Sequence, residues 1–311
     1  MVKTKIVITG ATGFIGKDLL KQLDVNAFDV TIVTRNKDKF EGCFTESIKI
    51  VEADLLTLQS LVSAFNQQDI LVNLAAEVRN LDLLEATNIQ GTKNIIQAIQ
   101  QTSVSKVIHL SSVGVVGKGY SHSPLLVDEN TSASPANEYE RTKWVSEQLF
   151  LEAAANGDFE LAVLRPTNVF GENHPFNALL NLMRKIVSGS PLFYADGAMV
   201  NYVYVADLNS FLVHLIHTNR FDGIYSVGGT MPLKEFYNLV MRELDCKTRV
   251  IQLPAFLIGF LKIFGSEKLH PVSNKVSYSD KKLKEIFHYT FGLEKGITKT
   301  VDYFKKRELL P

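Results

Sequence analysis

Cysteine is almost missing from this sequence: Cys43 and Cys246 are the only two in 311 residues. Two cysteines this far apart exclude a disulfide framework and a thiolate metal cluster, and they fit a reducing, cytoplasmic compartment. Net charge is missing as well, because 33 Lys and Arg balance 33 Asp and Glu. That balance removes the composition argument for a nucleic-acid partner or an acidic membrane surface. No apolar run is long. The longest, Leu253 to Phe264, is about half of the roughly 20 residues a bilayer requires, and Pro254 and Lys262 interrupt it, so no membrane span is expected. The residues ahead of Lys5 carry no basic-then-apolar leader, and no targeting segment is expected. There is no internal repeat, no low-complexity tract and no G-x-S-x-G of a serine hydrolase. His214 and His217 share a helix face but lack Cys, Asp or Glu companions, so no metal is expected.

What is present is an alternation. Short β-rich runs occupy Lys5–Thr9, Val30–Thr34, Ile48–Val51, Ile70–Leu74, Lys106–Ser111 and Leu161–Leu164. Between them apolar residues recur at helical spacing, as at Leu19, Leu20 and Leu23 or Ile89, Ile95, Ile96 and Ile99. Nearly continuous apolar strands separated by helices predict a parallel sheet covered on both faces. The expected class is α/β, a Rossmann-type doubly wound sheet with a smaller, mixed C-terminal lobe. Val200–Asp207 and Gly223–Val227 read as strands that rejoin the sheet. The expected division is therefore 1–167 with 201–227 as a dinucleotide-binding domain, and 168–200 with 228–311 as a substrate lobe.

The first strand runs directly into Thr9-Gly10-Ala11-Thr12-Gly13-Phe14-Ile15-Gly16 and then a helix. Glycines there permit a tight turn and let a pyrophosphate approach the backbone, while the helix N-terminus offers free N–H groups. Gly10, Thr12, Gly13, Phe14, Ile15 and Gly16 are thus candidate cofactor residues. A carboxylate at the end of the second strand would accept the ribose 2′-hydroxyl of NAD. Here that place reads Val33-Thr34-Arg35-Asn36-Lys37, with no acid. A guanidinium pairs well with a 2′-phosphate, so Arg35 favours NADP(H) over NAD(H). Asp54-Leu55 and Ala75-Ala76 close the third and fourth strands, at the carboxyl ends where such sheets bind ligands. Asp54 is placed to accept from an adenine amino group or to cap a helix.

The fifth strand ends in His109-Leu110-Ser111-Ser112. Tyr139 and Lys143 then stand four apart on one helix face. A lysine ammonium, aided by a cationic nicotinamide, would favour the Tyr139 phenolate, and lowering its pKa from about 10 to near 7 takes roughly 4 kcal/mol. Tyr139 would exchange a proton with an alcohol or ketone oxygen that Ser112 positions.

With these motifs in place, the sequence resembles the extended short-chain dehydrogenase/reductases, whose best-known members are NAD(P)-dependent epimerase/dehydratases of sugar nucleotides. The resemblance rests on Thr9–Gly16, Asp54-Leu55, Asn73–Ala76, Asn88–Thr92, Ser111–Gly117, Tyr139–Lys143, Leu164–Gly171, Val203–Leu208 and Gly296–Tyr303. It implies Ser112, Tyr139 and Lys143 as the catalytic triad, with Lys143 also holding the nicotinamide ribose. It implies that Asn88 braces the cofactor site, that Pro166 and Val169 lie by the nicotinamide, and that Asn168 faces a small-molecule substrate; Val113, after Ser112, and His174, after Gly171, are further candidate substrate contacts, and His174 reads equally as part of a loop turn. It implies a homodimer formed through the helices carrying Asn88 and Tyr139.

The resemblance also sorts reactions. Dehydratases of the family place an acid pair directly after the triad serine or threonine, and here Val113-Gly114 follows Ser112. Sugar-nucleotide enzymes clamp the diphosphate with small-lobe arginines. One such place holds Val200, and the other offers Lys268, His270 and Lys275, which act only as point charges. The leading expectation is a 4-epimerase or keto-sugar reductase of a nucleotide sugar. The alternatives are an NADPH-dependent reductase of a smaller or apolar ketone, whose pocket Leu253–Phe264 would wall, and a non-catalytic dinucleotide sensor.

Overall fold

The computed structural model describes residues 3–37, 47–117, 119–174, 178–254 and 270–310. Cys43, Lys268 and residues 255–264 of the apolar run lie outside the described residues. The chain divides into two compact units. The first comprises Met1–Gly117, Ser132–Pro166 and Asn209–Tyr225, and the second Lys118–Thr131, Thr167–Leu208 and Ser226–Pro311.

The first unit is built on a sheet of seven strands. Six are β1 (Thr4–Thr9), β2 (Phe28–Thr34), β3 (Ile48–Glu52), β4 (Ile70–Asn73), β5 (Lys106–Leu110) and β7 (Glu160–Pro166). With β11 (Asp222–Val227) they lie in the order β11-β7-β5-β4-β1-β2-β3. The pairs from β3 through to β7 are parallel, with Ile8 opposite Ile32 on one side and Val72 on the other. Ile6, Val7 and Ile8 are all fully buried. Both faces are therefore covered, which is why these strands read as unbroken apolar runs rather than alternating ones.

Helices supply the cover: α1 (Phe14–Gln22), α2 (Leu58–Phe65), α4 (Gly91–Gln100) and α5 (Glu138–Ala155). Leu61 and Phe65 of α2, Ile95 and Ile99 of α4 and Phe150 of α5 share one core with Val7, Leu71 and Val107. Each such side chain contributes about 1.5–3 kcal/mol. The helix ending in α4 begins as α3 (Leu81–Leu84) and passes through a π-helical turn, Glu85–Gln90. Strand order reverses between β1 and β4, so a crevice opens at their carboxyl ends.

In the second unit β8 (Asn168–Phe170), β10 (Met199–Tyr204) and β12 (Gly229–Pro232) form a small mixed sheet, and β9 (Leu192–Ala195) pairs with β13 (Val250–Leu253). Residues up to Thr131 enter this unit because β6 (Leu125–Val127) pairs with β14 (Val276–Tyr278). One expectation is corrected here. Val200–Asp207 does not rejoin the large sheet: β10 pairs with β8 and β12 instead. Its last residues, Val205 to Asp207, already form the first turn of α7 (Val205–His217). An aspartate there faces the positive end of the helix dipole, which favours a helix start over a continued strand. Gly223–Val227 does join the large sheet, as β11. Among the described residues no helix is long and apolar enough to cross a membrane.

Candidate active site

The loop between β1 and α1 shows what its glycines are for. Gly10 has φ +73°, and a Cβ there would stand 2.6 Å from Ala75 N. A Cβ on Gly16 would stand 2.5 Å from Ala11 Cα, so helix and strand meet at a distance only glycine allows. Gly13 differs, because its Cβ would meet nothing nearer than Gly10 O at 3.2 Å. It is exposed at the N-terminus of α1, beside a cleft of about 250 Å³. Gly10, Thr12, Gly13, Arg35, Asp54, Leu55, Ala75 and Ala76 all line that cleft. Phe14, Ile15 and Gly16 do not, and shape it from behind. A bare glycine face, a helix N-terminus and a cation in one crevice fit a dinucleotide.

Arg35 is exposed at this cleft and forms no ion pair within the described residues. Its charged neighbour is Glu77, which the sequence reading did not single out. Glu77 Oε1 accepts from the backbone N–H groups of Val78, Arg79 and Asn80. Burial opposes the charge, yet those donors and the Arg35 guanidinium hold the carboxyl below its usual range. Asp54 turns its Oδ1 to the Leu56 N–H, while Thr57 takes the cap of α2.

Ser112, Tyr139 and Lys143 do come together. Ser112 caps a short 3₁₀ turn after β5, accepting the Gly114 N–H at 3.1 Å. Asn137 starts α5, its Oδ1 accepting the Glu140 N–H at 2.9 Å, which sets Tyr139 in the first turn. Lys143 is buried and donates to Leu110 O at 2.7 Å.

The electrostatics depart from expectation. Burial raises the Tyr139 pKa above its ordinary value, hydrogen bonding by Ser112 pulls it down, and the Glu140 charge raises it again. The residues alone thus leave the phenol protonated rather than poised near 7, because desolvation outweighs the nearby donors. Burial lowers Lys143 to about 8 and Glu147 opposes that fall. A lysine at about 8 is still about nine-tenths protonated at pH 7.

Behind the triad lies a buried polar layer. Asn88, inside the π turn, accepts from Glu77 N and donates to Thr142 Oγ1, tying the loop after β4 to α5. His109 is kept neutral by burial and by Lys143. Arg165 and Glu147 form a buried bidentate pair, Nη2–Oε1 2.6 Å and Nε–Oε2 3.1 Å, and Ser111 donates to the same carboxylate. Glu147 was legible in principle, since it follows Lys143 by one helical turn.

The remaining predicted residues are less committed. Pro166 ends β7 and is buried. In the second unit Asn168 is exposed on β8 and donates its amide to Asn201 O, Val169 is half-buried, and His174 is half-buried beyond Gly171. Val200 lies on β10 opposite Met231. His217 packs at a tilt against Phe28, and His214 stacks on Phe211.

Comparison with known proteins agrees with this geometry. Residues 6–228 match the family described as NAD dependent epimerase/dehydratase. An Escherichia coli O157:H7 N-acetyl-alpha-D-glucosaminyl-diphospho-ditrans,octacis-undecaprenol 4-epimerase is 33% identical over 67% of this chain, a stretch spanning 61% of that protein. A Bacillus cytotoxicus UDP-N-acetyl-alpha-D-glucosaminuronate decarboxylase is 26% identical over 99% of both chains. The solved Thermotoga maritima UDP-glucose 4-epimerase with UDP-glucose shares the fold, with TM-score 0.77 and 20% identity over 98% of this chain and 100% of that one. With a family match across most of its length, the chain is an enzyme of the NAD dependent epimerase/dehydratase family.

Proposed function

We propose that this enzyme moves hydride to or from a carbinol or ketone carbon of a nucleotide sugar, as a 4-epimerase or keto-sugar reductase. The observation that carries the reading is Ser112, Tyr139 and Lys143 gathered at the carboxyl end of β5. A bound nicotinamide would accept or deliver the hydride. Tyr139 holds the proton exchanged at the substrate oxygen, and Ser112 donates to that oxygen and positions it. Lys143, kept mainly protonated by Glu147, supplies positive charge to the phenol and hydrogen bonds to the ribose. Gly10, Gly13 and the N-terminus of α1 hold the pyrophosphate. The names of the relatives, a sugar 4-epimerase and a sugar-nucleotide decarboxylase, support a nucleotide sugar over an apolar ketone.

Arg35, exposed at the cleft and without an ion pair among the described residues, supports a 2′-phosphate and so NADP(H) over NAD(H). A homodimer through the helices of Asn88 and Tyr139 is supported by exposed Val78, Leu81 and Leu83 beside them.

A thermal-shift panel tests these readings. With NADP+ or NAD+ present, UDP, dTDP, GDP and CDP are added in turn. A ligand at 100 times its Kd adds about 2.7 kcal/mol, a readable shift. One nucleotide is expected to add a clear further shift, and silence from all four sinks the nucleotide-sugar reading. Tyr139→Phe should lose turnover by 10²–10⁴-fold while keeping cofactor affinity. Arg35→Ala should weaken NADP+ and spare NAD+, and stronger stabilisation of the wild type by NAD+ would refute the NADP(H) preference.

A further inference from the structure

The strand-end acid that the resemblance leads one to look for after Ser112 is replaced by Gly114. The structure shows what occupies the space. A Cβ built on Gly114 would stand 3.0 Å from Glu140 Cγ, 3.5 Å from Glu140 Cδ and 3.3 Å from Ser112 Oγ. The Glu140 side chain and the Ser112 hydroxyl therefore border the same small space, the one a side chain from residue 114 would fill. The Glu140 charge acts directly on the Tyr139 phenol.

The carboxylate is also fixed in place. Its Oε2 accepts the Ala136 N–H at 2.7 Å, and its own backbone N–H is held by the Asn137 cap. Its Oε1 accepts no hydrogen bond from the described residues, and the side chain is only half-buried. An oriented carboxylate oxygen with spare acceptor capacity, next to the group that positions the substrate oxygen, is a reader of hydroxyls. A carboxylate accepts from an alcohol and repels another carboxylate, so one group does both selections.

We infer that Glu140 is a specificity-determining residue of this site: it accepts a hydrogen bond from a hydroxyl or hydroxymethyl group next to the reacting carbon, and it excludes substrates bearing a carboxylate there. The substrate class is then a neutral nucleotide sugar, not a uronate. This inference rests on the nucleotide-sugar reading above. Gly114 is the necessary partner, since any side chain there would displace Glu140.

The test compares kcat/KM for a neutral hexose and its uronate, both carried on the nucleotide that gives the largest melting shift. The wild type should prefer the neutral sugar by at least about tenfold. Glu140→Gln keeps the size and an acceptor for Ala136 N–H but removes the charge. It should shrink that preference by about tenfold, through a lower KM for the uronate and a higher KM for the neutral sugar. Gly114→Ala should shrink the preference in the same direction by crowding Glu140. A preference unchanged within twofold in Glu140→Gln, or a wild type that favours the uronate, overturns the inference and leaves the nucleotide-sugar reading standing. A wild type that turns over neither substrate takes down both.

Discussion

Replacing Glu147 by glutamine strikes the layer beneath the active site without touching the cleft. Glu147 is fully buried and Arg165 is 7% exposed at its side chain, so water cannot screen the loss of either partner. The wild-type carboxylate takes two hydrogen bonds from Arg165 and one from Ser111. A glutamine keeps one acceptor, turns an N–H₂ toward those donors and removes the negative charge that faces the guanidinium. Breaking a buried pair in this way costs about 3–5 kcal/mol. At roughly 2–4 °C per kcal/mol for domains of a similar order of size, the melting temperature should fall by roughly 10 °C. Differential scanning calorimetry on the cofactor-free protein reads this directly. Because the penalty comes from the broken charge pair and not from lost packing, the double variant Glu147→Met with Arg165→Met should melt above the single variant. A single variant within 2 °C of wild type would refute the reasoning, as would a double variant that melts lower still.

Other expectations follow from the same geometry. Burial holds Lys143 at about 8 against its ordinary 10.5, so the unfolded chain binds that proton more tightly. The buried charge therefore costs about 3 kcal/mol below pH 8, and the penalty fades as pH rises from 8 toward 10.5. Lys143→Met should melt above wild type at pH 7, with the gap narrowing through that window; a flat gap counts against the burial account. Gly13→Ala should cost far less stability than Gly16→Ala yet bind the dinucleotide about tenfold more weakly, because its methyl meets only Gly10 O, at 3.2 Å, on the wall of the cleft. Gly16→Ala should be grossly destabilised, because its methyl would meet the backbone of Ala11 and Gly10. Equal melting temperatures for the two glycine variants would contradict the assigned roles.

Most of the six parallel strands were legible because they are buried on both faces and carry an apolar run that polar neighbours interrupt cleanly; β3, at the sheet edge, is only half-buried and was legible from its β-branched residues. The glycine loop was legible for a similar reason, since strand, glycines and helix are contiguous. What stayed hidden depends on pairing between distant segments. Nothing in Leu125–Val127 announces that it will pair with Val276–Tyr278, and short three-residue strands carry too little pattern to register. Gly114 and Glu140 make sense only together, and their spacing in the chain follows no helical or strand period. The Tyr139 expectation weighed charges, a bound nicotinamide's among them, and left out burial, which raises the phenol in the chain alone. Glu147 needed only the helical-turn rule already applied to Tyr139 and Lys143.

The π turn at Glu85–Gln90 carries one residue more than a regular helix needs between Leu84 and Gly91. That surplus sets the angular phase between the two ends of the rod. Downstream, Asn94 points to the carbonyl of Leu55; upstream, Leu84 points inward and is fully buried. Losing a single residue would let the turn relax to 3.6 residues and swing everything on its N-terminal side by about 100°. Leu84 would rotate toward water and a polar neighbour would take its place. Along this stretch the number of residues is therefore fixed by the packing at both ends, as firmly as Asn88 is by its own hydrogen bonds.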